Sequence, residues 1–315
     1  MTKTIFLMVG LLIFFQQTSL YAFKVAIFDF DDRLEQPFTT AKYIENKIKI
    51  QGNEIKVDQY SGKKDTAFSI QLLNQLDNSN YDLLITITSD ALIIANHVIK
   101  KTPTLFTNVN NPLSLGFQTL GPPGRMISGA SYYISVEKQL AFYKEILPGL
   151  VKIGFIFDQH NKSKKVELPE VRKTCEKLGV SYEIEVVVSV KELEKAAVRL
   201  IREGVQAISV GSSDLLYNNI SMIIDICDSS YIPVLSFNKN GVKNGAIAAL
   251  SSDYKLMVDE LIIPMAFKVL DNGINPGKMP IAFLKKNLIF INIAQAKKLK
   301  LNIVEEILDQ AIIIE

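Results

Sequence analysis

The sequence predicts an α/β protein of two Rossmann-like lobes, each built on a parallel sheet. Three observations carry that expectation. From Phe23 onward, short β-rich apolar runs alternate with longer amphipathic segments, the pattern of β-α units on parallel sheets. Ten such runs are present, more than one small sheet unit holds. One order of strand, small polar turn, helix, proline and strand occurs twice, in "YDLLITITSDALIIANHVIKKTPTLFT" and again in "VQAISVGSSDLLYNNISMIIDICDSSYIPVLSF".

In chain order, the first set of strands is expected at 24–28, 53–59, 83–86, 104–107 and 126–130, and the second at 152–157, 181–188, 207–210, 234–235 and 246–250. Segments 89–103 and 213–233 each have room for one helix, closed by Pro103 and Pro233 just before the next strand begins. "GPPGRMISG", 121–129, lacks the Lys-Ser/Thr ending of a phosphate loop, and its prolines remove N–H donors, so it reads as a turn feeding a strand. Polar residues gather where strands end: Thr88, Ser89 and Asp90 in the first copy, Ser212, Ser213 and Asp214 in the second. Open α/β sheets bind ligands at that end. Each cluster taken singly is an ordinary helix cap; two at equivalent positions suggest the walls of one cleft, with helix N-termini turned towards an anionic group.

With 315 residues, a formal net charge of +2 and 22% charged residues, the chain is long enough for two cores and has no basic or acidic bias. The 35 basic residues are spread among 33 acidic ones, which argues against a nucleic-acid surface. Residues 1–22 read as a cleaved signal peptide: Lys3, an apolar run at 5–15, then a polar stretch ending at Ala22. The apolar run is about half the roughly 20 residues of a membrane span. Export to the periplasm follows, without lipid attachment, because the only cysteines are Cys175 and Cys227, both in helical segments and expected to be buried and unpaired. His97 and His160 stand alone, without metal-ligand spacing, and no cofactor is expected.

Five segments in order, "TPTLFTNVNNPLSLGF" (102–117), "GPPGRMISGAS" (121–131), "KQLAFYKEILPGLVKIGFIFD" (138–158), "GVKNGAIAALSSDY" (241–254) and "LIFINIAQAKKLKL" (288–301), together resemble the ABC-transporter substrate-binding proteins of the group that includes aromatic amino-acid binders. The resemblance implies a Venus-flytrap of the type I periplasmic-binding fold with three crossing segments, near 131–134, 251–253 and 281–284. Lobe 1 would be 23–131 plus 252–281, and lobe 2 would be 132–251 plus 282–315, its tail adding a helix and a strand. It also implies a small-molecule ligand, an ABC permease as partner, a monomer, and no catalysis. A ligand sensor of the same fold, read by a membrane signalling protein, is the alternative.

Carried over position by position, the ligand residues are Phe30 and Asp31 at the first strand end, Ser89 and Asp90 for a carboxylate, Asn110 and Asn111, Ser131 and Tyr132, Asp214 for an ammonium or hydroxyl, Asn218, Phe237 and Asn238. The family usually places an aspartate where Asn111 stands before Pro112, so a charge that would pair with a ligand ammonium is missing there. Tyr132 and Phe237 offer aromatic faces to a ligand, whereas Phe117 and Tyr133 are expected to pack.

A different chemistry is suggested by "VAIFDFDDRL", 25–34, which resembles the nucleophile motif of haloacid-dehalogenase-type phosphatases, where one aspartate attacks phosphorus and a second, two residues on, protonates the leaving group. The rest of that machinery is incomplete. Arg33 stands where the motif has threonine, and "VGSSDLL" offers Asp214 without the second carboxylate that would help hold Mg²⁺. In the binding-protein reading, Asp31 and Asp32 cap the helix that begins near Pro37 or touch the ligand.

Overall fold

The computed structural model describes residues 23–52 and 54–314, so the signal expected at 1–22 lies outside the described residues. The first strands are β1 (Phe23–Asp29), β2 (Ile55–Ser61), β3 (Leu83–Ile87), β4 (Thr104–Val109) and β5 (Ile127–Ser131). Next come β6 (Lys152–Asp158), β7 (Ser181–Val187), β8 (Ala207–Val210), β9 (Val234–Ser236) and β10 (Ala248–Ser251). The chain ends with β11 (Ala282–Phe283), β12 (Leu288–Asn292) and β13 (Ala311–Ile314).

One sheet has six parallel strands in the order β11-β5-β4-β3-β1-β2. A second has four parallel strands in the order β7-β6-β8-β9. A three-stranded sheet, β10-β12-β13, is antiparallel between β10 and β12 and parallel between β12 and β13. It abuts the second sheet where Ile247 N–H donates to Val234 O at 2.8 Å.

Period-2 alternation explains why the parallel strands read as continuous apolar runs: both faces are covered by helices. In β1, Val25 and Ile27 pack with the helix Glu35–Gln51 and the returning segment around Val258–Ile263, while Ala26 and Phe28 face the helices Thr66–Leu76 and Ser89–Val98. In β6, Phe155 and Phe157 share a core with Tyr143 and Cys175, whereas Ile156 faces Leu200 and Ile223. Each such fully buried side chain contributes roughly 1.5–3 kcal/mol. Cys175 and Cys227 are buried and free.

The chain passes between the lobes at 132–135, 252–253 and 284–287, after β5, β10 and β11. The third passage comes after the strand pair Ala282↔Ala130 and Phe283↔Ser131, so these two residues lie in the first sheet rather than beyond the boundary expected at 282. After the second passage the chain widens into a π turn, Val258–Ile262, before the helix Ile263–Leu270. Pro264 has no N–H to continue the regular ladder there, which accounts for the wider turn.

Two local expectations are corrected. Segment 213–233 holds two short helices, Asp214–Asn218 and Ile220–Asp228, broken at Asn219. The helix Glu35–Gln51 is preceded by Leu34 without a side-chain cap, because Asp31 is held by Arg33 and Asp32 by Lys63. Among the described residues, no helix is long and apolar enough to cross a membrane.

Candidate functional site

A cavity of about 50 Å³ opens where strands end and two crossings meet. Asn110 follows β4, Tyr132, Tyr133 and Ile134 form the first crossing, Ser212 follows β8, and Phe237 and Asn238 follow β9; Ser251, Ser252 and Tyr254 border the second crossing, and Tyr217 completes the lining. This is the C-terminal edge of both parallel sheets, where the strand ends leave backbone and side-chain polar groups free of the ladder.

Short bonds hold this wall in shape. Tyr132 N–H donates to Val109 O at 3.0 Å, and Ser252 Oγ donates to Tyr132 O at 3.0 Å, tying the first crossing to the second. Ser131 is almost fully buried; its Oγ donates to Asn110 O at 2.8 Å and accepts Tyr133 N–H at 3.0 Å. Asn110 Nδ2 donates across the lobes to Ser163 Oγ at 2.6 Å. Tyr133 OH donates to Glu170 Oε2 at 2.6 Å, so this ring both packs and lines the cavity. From below, Tyr143 OH donates to Ser236 O at 2.9 Å and Gln139 Nε2 to Phe237 O at 3.3 Å, setting the turn that presents Phe237.

The Tyr132 and Tyr254 rings meet edge to face, with centroids 6.2 Å apart, and Lys239 Nζ lies 5.5 Å from the centre of the Tyr254 ring. Burial pushes both hydroxyls above the ordinary tyrosine range, so they stay neutral donors at physiological pH. The arrangement thus combines flat apolar faces with hydroxyl and amide groups, suited to a small planar ligand with polar ends.

Of the residues expected from sequence, Asn110, Tyr132, Phe237 and Asn238 come together on this cavity. The others stand elsewhere. Phe30 packs beside Phe28 and Leu73, and Asp31 is gripped by Arg33 through Nε to Oδ1 at 2.7 Å and Nη2 to Oδ2 at 2.8 Å. That hydrogen-bonded guanidinium holds the Asp31 carboxyl at about 2. Ser89 Oγ accepts Asn110 N–H at 3.5 Å, and exposed Asp90 pairs with Lys162 at 3.3 Å. Asn111 is fully buried, its Oδ1 accepting Leu113 N–H at 3.0 Å to start the turn Pro112–Leu115. Asp214 and Asn218 are exposed on their short helix, outside the cavity lining, though the Asp214 charge is felt by Tyr132 and Tyr254. Ser213 Oγ turns away and donates to Asp158 Oδ2 at 2.7 Å, which leaves Ser212 as the member of that cluster on the cavity.

Ile134, Tyr217, Ser251, Ser252 and Tyr254 are lining residues that sequence reasoning did not select. "LSSDY" at a crossing was a usable signal for three of them, since small polar residues directly after a buried strand sit at its ligand-facing end. Tyr217 had none, because its ring is buried like any core aromatic.

Two buried carboxyls lie above the ordinary range. Asp29 is pushed up to about 6, chiefly by burial, and its Oδ1 has no partner. Glu167, on the helix Lys164–Leu178, is fully buried and pushed up to about 7 by the same cause. With Asp31 committed to Arg33, the Asp29 pair has no free second acid to protonate a leaving group. Among the described residues, no group of three or more His, Cys, Asp or Glu side chains is placed to hold a metal ion.

Thr88, at the head of the helix Ser89–Val98, has φ 86° and ψ 160°, a region that suits glycine. Strain of this kind costs about 1–3 kcal/mol, and the added chain entropy of glycine offsets up to about 1 kcal/mol. Thr88→Gly is therefore expected to stabilise the protein by about 1 kcal/mol in urea unfolding. A lower urea midpoint would show that the Thr88 side chain earns its strained backbone through contacts.

The model of the family "ABC transporter substrate binding protein" matches residues 41–314. A tyrosine-binding protein of Clostridioides difficile (strain R20291) is 24% identical over 255 residues, covering 80% of this chain and 72% of its own length. Among solved structures, the ligand-free, open form of a substrate-binding protein with adhesive properties from Clostridium difficile superposes with a TM-score of 0.82 at 21% identity, covering 93% of this chain and 99% of that one. An ABC domain from Streptococcus pneumonia in complex with L-Trp superposes with a TM-score of 0.70 at 21% identity, over 93% and 99% of the two chains. The two-lobed fold is thus shared, and the family match spans both lobes and every crossing: this chain belongs to the ABC-transporter substrate-binding proteins, a family of ligand carriers rather than enzymes.

Proposed function

We propose that the protein is an exported receptor that captures an amino acid, an aromatic one, in the cavity at the crossings and delivers it to an ABC permease. The observation that carries this reading is the lining itself: Tyr132, Tyr217, Phe237 and Tyr254 supply ring faces, while Asn110, Ser212, Asn238, Ser251 and Ser252 supply the polar contacts that orient a ligand. Lys239, beside Tyr254, offers a cation for the ligand carboxylate. The binding of tyrosine and of L-Trp by members of the same family and fold supports the same class.

The cavity of about 50 Å³ suits a few waters, so a ligand of this size enters with a change in lobe separation. Contacts from both lobes are satisfied together only when the lobes close on the ligand, and that difference in affinity drives closure. Isothermal calorimetry of the mature chain is expected to show one site for L-tyrosine or L-tryptophan, with Kd on the order of micromolar or tighter. Small-angle scattering should report a more compact particle at saturation. Heat from neither amino acid, or no compaction when one binds, would refute the respective half of this reading.

A further inference from the structure

We infer that Glu167, acting through Ser212 on the cavity wall, is the counter-charge for a cationic ligand group, so that ligand capture is coupled to release of a proton. The inference rests on the amino-acid reading above and identifies which acid meets the ammonium. Glu167 Oε2 accepts Ser212 N–H at 3.0 Å. Ser212 and Tyr217 line the cavity, so this bond joins the buried carboxyl to a residue of the cavity wall. Glu167 is 0% exposed, and its second oxygen, Oε1, has no hydrogen-bond partner.

The groups around Glu167 are an acid, phenols and one serine. Glu170 lies on its own helix, Tyr132 and Tyr133 come from the first crossing, Tyr143 from the helix Val136–Ile146, Tyr217 from the helix Asp214–Asn218, and Ser212 from the turn after β8. Among the described residues no lysine, arginine or histidine offsets it. A buried carboxylate without a cation is costly, so without ligand the acid gives up its proton only as the pH passes about 7. An ammonium seated at Ser212 supplies the missing charge. Glu167 then gives its proton to solvent, and the ligand ammonium balances the carboxylate that is left. Exposed Asp214 is the competing acid, but water and salt screen it.

The test uses the mature chain with L-tyrosine and its desamino analogue, 3-(4-hydroxyphenyl)propionate, titrated by calorimetry between pH 5 and pH 8. Tyrosine affinity is expected to rise with pH and level off above about 7, falling up to tenfold per pH unit below that. Titrations near pH 6.5 in buffers of different ionisation enthalpy should show release of a substantial fraction of one proton with tyrosine and none with the desamino acid. Glu167→Gln keeps an acceptor for Ser212 N–H, and is expected to weaken tyrosine at pH 8 by tenfold or more and to flatten the pH profile. Wild-type tyrosine binding without proton release would overturn the inference independently of any variant. So would an unaltered Glu167→Gln profile, or a larger loss in Asp214→Asn. A wild-type protein that binds neither compound would refute the amino-acid reading and this inference with it.

Discussion

Glu167→Gln is expected to melt higher than the wild-type protein at pH 8 and at the same temperature near pH 5. The carboxyl rises from 4.5 to about 7 on folding, mainly through burial, so the folded state holds its proton more tightly than the unfolded chain does. Stability from this group is therefore fully present below about pH 4.5 and is lost as pH climbs to about 7, beyond which the loss is constant. At 1.36 kcal/mol per unit, the ionised form costs on the order of 3 kcal/mol, an upper limit because the buried Gln amide carries a desolvation cost of its own. Thermal unfolding followed across pH 5 to 8 reads this difference. A variant that is equally less stable at both pH values would show that Glu167 is held by contacts that its ionisation does not oppose. A more stable protein with weaker ligand affinity is the usual trade at a site kept strained for function.

Gly129→Ala is expected to destabilise the protein by about 3 kcal/mol or more, the upper range for forcing volume into a packed position. Gly129 stands opposite Phe106 in the β4–β5 ladder, and a Cβ there would lie 2.1 Å from Phe106 O and 2.5 Å from Phe106 N. Backbone atoms cannot swing aside as a side-chain tip can. The ladder already shifts register between Phe106 and Val109, with Asn108 at φ 54°, so the neighbouring turn has little freedom to absorb the push. β5 runs directly into Ser131 and Tyr132, and loss of its register would displace the first crossing and the ring that lines the cavity. Chemical unfolding should show the effect beside Gly149→Ala as a control, whose added Cβ meets nothing within 4 Å and should stay within about 0.5 kcal/mol of wild type. Equal midpoints for the two variants would mean that β5 slides without cost.

By itself the sequence determined the lobes, the parallel strands and the end of the sheets at which the candidate cavity opens. Those features follow from local periodicity and turn chemistry, which neighbouring residues encode together: runs such as Leu83–Ile87 are buried along their whole length, and Pro103 and Pro233 each precede a strand. The identity of the lining residues was only partly legible. Ser212 and Asp214 lie two positions apart, and whether the hydroxyl or the carboxylate meets the cavity depends on the start of a five-residue helix against the neighbouring strands. Asp31 looks like an available acid until folding brings Arg33 back onto it.

Glu167 is the clearest case. It sits in "KKVELPEVRK", a stretch rich in charged residues, and Glu167, Val171, Thr174 and Cys175 form the buried stripe of their helix. Helical spacing places Glu167 on that stripe, so the position was there to be read. Its chemistry was not, because the burial and the absence of a facing cation that move its proton equilibrium are set by Ser212, Tyr143 and Tyr217, which lie far along the chain and meet it only in the folded lobe.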